Sequence, residues 1–244
     1  MSAQHSAPVC EEQRLIQSKV LDSIRSLPKA WHANGSLNMA VIDQLFTCAE
    51  GADHTAETGC GRSTLALSHA SRHHVVFACD VPPGVDPETH SFTRVRSSNL
   101  LRNETCEFVV GSTQMTLPSY QFNSEFDLVL LDGAHGYPFP EIEYFYFYPH
   151  LREGGWLVID DIQIPSVANM VDVLRKDEMF SLDRVVKTTA FFRRTEAPTF
   201  SPFGDGWWEQ GYNKHHGVAI RHLSLASIPR ALAMELRRKF SRHQ

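Results

Sequence analysis

Glu57-Thr58-Gly59-Cys60-Gly61-Arg62-Ser63-Thr64 is the stretch whose reading decides the fold. A short strand pattern over 54–58 runs into it and a helical pattern over 63–71 leaves it, so it reads as a strand-to-helix turn. Gly59 and Gly61 allow a sharp turn and a close approach of backbone to ligand, and the free amides at the helix start favour a carboxylate or phosphate. In an open α/β sheet, ligands bind at the carboxyl ends of the strands, where strand order reverses. A dinucleotide fingerprint, G-x-G-x-x-G, needs its third glycine where this chain has Thr64. That weakens an NAD-dependent oxidoreductase reading, which stays as a competitor.

Outward from this turn the pattern alternates. Strands are expected over 74–80, 106–111, 126–132 and 155–160, separated by helical runs over 91–102 and 140–151. Strands joined by helix-length crossovers imply a doubly wound, Rossmann-like α/β fold with a parallel sheet and helices on both faces. Upstream, Leu15, Val20, Leu21, Ile24 and Leu27 recur at helical spacing before Pro28, and 37–46 is a second amphipathic run. Residues 1–50 therefore read as a helical appendage and 51–244 as the main domain. Downstream, 167–175 reads as a helix and 182–188 and 190–194 as closing strands. The Pro-, Gly- and aromatic-rich stretch 195–216 reads as a long loop, with a lid over 202–212 carrying Trp207 and Trp208. A stripe of Ile228, Leu232, Leu236 and Phe240 marks a C-terminal helix.

Composition narrows the partners. Twenty-three Lys and Arg against 28 Asp and Glu give a net charge of −5, so no global positive field exists to neutralise a phosphate backbone, and nucleic acid is not expected as a partner. The five cysteines, Cys10, Cys48, Cys60, Cys79 and Cys106, are odd in number and lack CxxC spacing, which argues against a disulfide framework or structural zinc. No run of about 18 apolar residues is present, and residues 1–10 lack the pattern of a secretory leader. The expectation is a cytoplasmic enzyme away from membranes, acting on a small molecule. The aromatic run Tyr144, Phe145, Tyr146, Phe147 and Tyr148 covers every face of its helix, which fits core packing or a homo-oligomer contact.

Acids and small residues collect at the strand ends. Asp80 closes the second strand about 20 residues beyond the glycine turn, where a carboxylate can accept ribose hydroxyls. Gly111 and Ser112 after the third strand leave room for an adenine ring, with Ser112 at its edge. Asp132 ends the fourth strand and Asp160-Asp161 the fifth, so all three acids converge at one edge of a parallel sheet. Unpaired carboxylates in one cleft repel and raise a pKa, a conflict that a divalent cation resolves, and hard oxygen ligands suit Mg²⁺. His135 stands three residues after Asp132 as a candidate base.

The turn resembles the E/D-x-G-x-G motif of class I S-adenosylmethionine (SAM)-dependent methyltransferases. That resemblance implies that Glu57 holds the ammonium of the methionyl moiety, and that Gly59, Gly61, Ser63, Thr64, Asp80, Ser112 and Asp132 complete the cofactor site. The string Asp132-Gly133-Ala134-His135-Gly136-Tyr137, a helix, then LREGGWLVIDD over 151–161, is similar to small-molecule methyltransferases related to macrolide-sugar O-methyltransferases and cephalosporin-hydroxylase-like proteins. More distantly it resembles the cation-dependent catechol and caffeoyl-CoA O-methyltransferases. In the catechol group an Asp after strand four and an Asp-Asn or Asp-Asp pair after strand five hold the metal, which maps onto Asp132, Asp160 and Asp161. Where that group has its catalytic Lys, this chain has His135. The implied reaction is methyl transfer from SAM to a hydroxyl of a sugar, a polyketide or peptide natural product, or a phenol. A SAM-binding regulatory protein without chemistry remains the third alternative.

Overall fold

A computed structural model describes residues 11–28, 31, 36–201, 210 and 212, with side chains from residue 18 onward. Apart from Gln210 and Tyr212, the expected lid lies outside the described residues, as do the C-terminal helix and Cys10. Two helices come first, α1 (Glu11–Ser26) and α2 (Met39–Ala49). Then follow β1 (Ala52–Thr58), α3 (Arg62–Ala70), β2 (Ser71–Ala78), α4 (Ser91–Arg96), β3 (Cys106–Val110), α5 (Thr113–Thr116), β4 (Phe126–Leu131), α6 (Phe139–Phe147), β5 (Leu151–Ile159), α7 (Pro165–Leu174), β6 (Phe180–Val186) and β7 (Thr189–Arg194).

The strands form one seven-stranded sheet in the order β3-β2-β1-β4-β5-β7-β6. β1 to β5 are parallel, and β7 runs antiparallel between β5 and β6. Strand order reverses between β1 and β4, so a cleft opens above the carboxyl ends of these two strands. The doubly wound α/β fold expected from the alternation is present.

Successive residues of the central strands feed opposite layers. Val129 and Leu131 of β4 pack with Phe77, Phe147, Leu157, Ile159 and Met170 on one face. Leu128 and Leu130 pack with Ile42, Leu45, Leu65, Leu67 and Val158 on the other. Burial on both faces is why β4 reads FDLVLL, a continuous apolar run rather than an alternation. Ile24 of α1 and five buried residues of α2 belong to the second core, so both helices pack directly over α3 and the sheet.

Several boundaries differ from the sequence expectation, and two of them have a local cause. The helix expected over 91–102 stops at Arg96, where hydroxyls take over the turn: Ser97 Oγ donates to the Thr93 carbonyl, and Leu100 N donates to Ser98 Oγ. The fifth strand begins at Leu151 rather than 155, because Gly154, at φ 72°, lets the chain run through the expected turn while the register with β4 shifts. The four described cysteines, Cys48, Cys60, Cys79 and Cys106, are free thiols. Among the described residues no helix is long and apolar enough to cross a membrane.

Candidate active site

The glycine turn between β1 and α3 is forced by its neighbour across the cleft. Gly59 N donates to the Phe77 carbonyl at 2.9 Å, and Gly59 sits at φ 87° with its Cα facing the Asp132 backbone. A Cβ built there lies 2.3 Å from the Asp132 carbonyl oxygen, so only glycine fits. Gly59→Ala is expected to destabilise the fold by about 2 kcal/mol or more, through strain and displacement of the 132–133 backbone. An unchanged denaturant midpoint and slope would refute this.

Two adjoining cavities flank the turn. One, of about 450 Å³, has an apolar floor of Phe77, Ala78 and Phe92 and an edge that includes Ser112. The other, of about 620 Å³, is lined by Ser63, Arg62, Asp132, His135, Asp161 and Lys187, among others. Gly59, Cys60, Ser91, Asp132 and Gly133 belong to both, so these residues form the partition. A pocket with apolar walls and few placed polar groups is the form that small-ligand sites take.

Behind the turn lies Glu57, fully buried. Its Oε1 accepts hydrogen bonds from Thr64 Oγ1 and from His74 Nε2, the latter at 3.3 Å. Its Oε2 is buried with no partner. Thr64 Oγ1 also accepts from Gly61 N at 3.0 Å, so Thr64 clamps the turn from beneath rather than lining a cavity. Asp80 lies beyond the end of β2, exposed, with Oδ1 accepting from Val81 N at 2.7 Å. It is not among the residues that line the first cavity, whereas Ser112 is.

At the partition, Asp132, His135 and Asp161 bring ligand-type atoms within 4.8 Å of one another. His135 Nε2 lies 3.2 Å from Asp161 Oδ2 and 3.6 Å from Asp132 Oδ1. Burial pushes the Asp132 carboxyl up to about 7, opposed by His135 and reinforced by the charge of Asp160. The His135 imidazole is held above its ordinary value, first by hydrogen bonding to Asp132 and then by the charges of Asp132, Asp161 and Asp160, against the effect of burial. Ser166 Oγ donates to the His135 carbonyl and ties this loop to α7. Asp161 adopts φ 55°, the left-handed region that Asp tolerates better than most residues. Asp160 points elsewhere: it is buried, its Oδ1 accepts from Thr189 Oγ1 and, at 3.5 Å, from Thr188 Oγ1, and burial raises its pKa.

Sequence reasoning did not single out Glu143 of α6. It is buried, accepts from Thr58 Oγ1 at 2.6 Å and Thr113 Oγ1 at 2.8 Å, and underpins Gly133 so closely that a Cβ there lies 2.2 Å from Glu143 Oε1. Burial raises the Glu143 carboxyl. An acid in a helix aromatic on every side was the available signal. His74 and Thr55, behind Glu57, were also not singled out.

Residues 56–162 match a family model described as a methyltransferase domain. Over these residues the chain is similar to that family. The matched residues run from β1 to just past β5 and include the glycine turn, Asp132, His135, Asp160 and Asp161. Solved structures with the same fold as this chain include TomG, an O-methyltransferase from Streptomyces achromogenes involved in tomaymycin synthesis, in complex with SAM. It is 16% identical over 77% of this chain and 91% of its own, with a TM-score of 0.52. The SAH-bound Podospora anserina methyltransferase PaMTH1 is 16% identical over 80% of this chain and 100% of its own, with a TM-score of 0.53. Cofactor-bound Rv0187 from MTB is 18% identical over 77% and 91%, with a TM-score of 0.53. At these identities the likeness is one of fold. No curated protein sequence matches this chain.

Proposed function

We propose that this protein is a methyltransferase that moves a methyl group from SAM to a hydroxyl of a small-molecule acceptor, assisted by a divalent cation. The observation that carries the reading is the convergence of Asp132, His135 and Asp161 on the partition between the two cavities.

The residues present fit SAM. Glu57 Oε2, buried without a partner, is a carboxylate oxygen lacking a donor, which an ammonium supplies. The apolar cavity reaching Ser112 suits a nucleoside. Asp80 stands on the loop after β2, in position to accept ribose hydroxyls once its bond to Val81 N is exchanged. TomG and PaMTH1, with this fold, were solved with SAM and SAH respectively. SAM supplies a methyl group already activated on a sulfonium, so the protein's work is to position the acceptor and remove its proton.

The second cavity would take the acceptor: a sugar, a polyketide or peptide natural product, or a phenol. His135, at its wall, would accept the proton of the hydroxyl. Asp132 and Asp161 fit a divalent cation such as Mg²⁺ as oxygen donors, beside His135 Nε2, which lies between them. Asp160, fixed by Thr189, completes the acidic edge behind them. Held by Asp132 and Asp161, a cation would supply Lewis acidity to a hydroxyl beside it. Neutralising Asp132 and Asp161 also removes charges that keep His135 protonated, which converts the imidazole into a base. The net charge of −5 supports a small acceptor over nucleic acid, and the four free thiols suit a reducing cytoplasm.

Calorimetric titration with SAM and NAD tests the cofactor. SAM should bind and NAD should not, and Glu57→Ala and Asp80→Ala should each weaken SAM by roughly 1.5–3 kcal/mol through loss of a charge-assisted hydrogen bond. Wild-type affinity in both variants would remove the assignment. Binding without turnover over a broad panel of hydroxylated compounds would favour the regulatory alternative.

A further inference from the structure

His74 lies in the middle of β2, fully buried, one strand from Glu57. Its two ring nitrogens are both occupied: Nε2 lies 3.3 Å from Glu57 Oε1, and Nδ1 lies 2.8 Å from Thr55 Oγ1. Thr55 Oγ1 is in turn 2.8 Å from Ser71 Oγ, which donates to the Leu67 carbonyl at the end of α3. A carboxylate only accepts, so Nε2 carries a hydrogen and donates it to Glu57. Thr64 Oγ1 donates to the same oxygen. Two donors from two different elements are thus spent on Oε1, and none on Oε2.

That asymmetry is costly unless it serves a ligand. A fully buried carboxylate oxygen without a donor loses its hydration for nothing, and a second donor shared between the oxygens would remove the penalty. Held at one oxygen from two sides, the carboxylate cannot rotate to share its donors, so Oε2 is kept bare in one fixed orientation.

We propose that His74 is a positioning residue for cofactor recognition: anchored by Thr55, it pins Glu57 through Oε1 so that Oε2 is reserved for the ammonium of the cofactor. This rests on the assignment of Glu57 to that ammonium. His74 touches no ligand itself and acts through the carboxylate alone.

The consequence is selective. Losing the pin should weaken ligands that carry the ammonium and spare those that lack it, whereas loss of a mere structural strut should weaken both. Two probes separate these: S-adenosylhomocysteine, with the amino acid, and 5′-methylthioadenosine, which keeps the nucleoside and thioether without it. By calorimetry, His74→Leu, which keeps apolar bulk, should weaken S-adenosylhomocysteine about tenfold, the scale of one hydrogen bond to a charged group, and leave 5′-methylthioadenosine within about twofold. His74→Gln, which retains an N–H donor, should recover most of the loss. Thr55→Val, which releases Nδ1 without touching Glu57, should show the same selectivity at about threefold, and decides the matter if His74→Leu does not fold. Equal weakening of both probes, or unaltered S-adenosylhomocysteine affinity, overturns the proposal. Glu57→Gln distinguishes the levels: if it leaves the ratio of the two affinities unchanged, the assignment of Glu57 to the ammonium fails. If Glu57→Gln shifts the ratio and neither His74→Leu nor Thr55→Val does, only the role of His74 fails.

Discussion

His135→Ala should lower the turnover number by about 10²–10⁴ while leaving cofactor affinity near its wild-type value. The imidazole lies at the wall of the second cavity between two carboxylates, 3.2 Å from Asp161 and 3.6 Å from Asp132, and Asp132 holds its pKa above the ordinary range. A base must be unprotonated to act. Wild-type turnover should therefore climb with pH along the limb on which His135 loses its proton. In His135→Ala that limb should vanish, and the residual rate should rise toward high pH, where solvent hydroxide takes the proton. Methyl transfer from labelled SAM, followed across the pH range at saturating cofactor, measures both effects. A near-normal rate with the limb intact would show that the acceptor loses its proton directly to water, with His135 serving only to balance charge.

The sheet was legible because its strands carry period and punctuation together. Glycines, turns and apolar runs mark β1, β2, β4 and β5, and the parallel arrangement follows from the helix-length spacers between them. From the parallel arrangement alone, Asp132 and the Asp160-Asp161 pair had to reach the same edge. What the sequence does not encode at that level is the direction of each side chain. Adjacent residues point to opposite sides, so Asp160 reaches β7 and its Thr189 hydroxyl while Asp161, in the left-handed region, turns toward His135. The residues behind the site were hidden for a related reason. Glu57, His74 and Thr55 meet through the register of β1 with β2, and Glu143 meets Thr58 across 85 residues of sequence, so neither contact leaves a local pattern. The glycine at 59 was legible as a turn, but its necessity comes from the Asp132 backbone, a partner 73 positions away.

Excess EDTA should abolish turnover, by about 10²–10⁴, without changing the affinity for S-adenosylhomocysteine, because neither the thioether nor the ammonium needs a cation for binding. Asp161→Asn should act in the same direction and is the sharper probe. Asn tolerates the left-handed backbone at φ 55° about as well as Asp does, so the variant removes one charge while keeping shape and main chain. Asp160→Asn is a contrasting case: its Oδ1 already accepts from Thr189, and burial raises its pKa, so the neutral amide should preserve the β5–β7 contact with a smaller loss of rate. Added Mg²⁺ should restore the chelated wild type fully and Asp161→Asn only in part, since a two-donor cluster has lost one of its anions. Removal of the cation and removal of the base then differ in pH dependence. Chelation leaves Asp132 and Asp161 charged, keeps His135 protonated to higher pH, and so should shift the residual activity upward in pH, whereas His135→Ala abolishes the limb. Full activity in excess EDTA would sink the cation and leave His135, poised between two carboxylates, as the whole of the proton-transfer machinery.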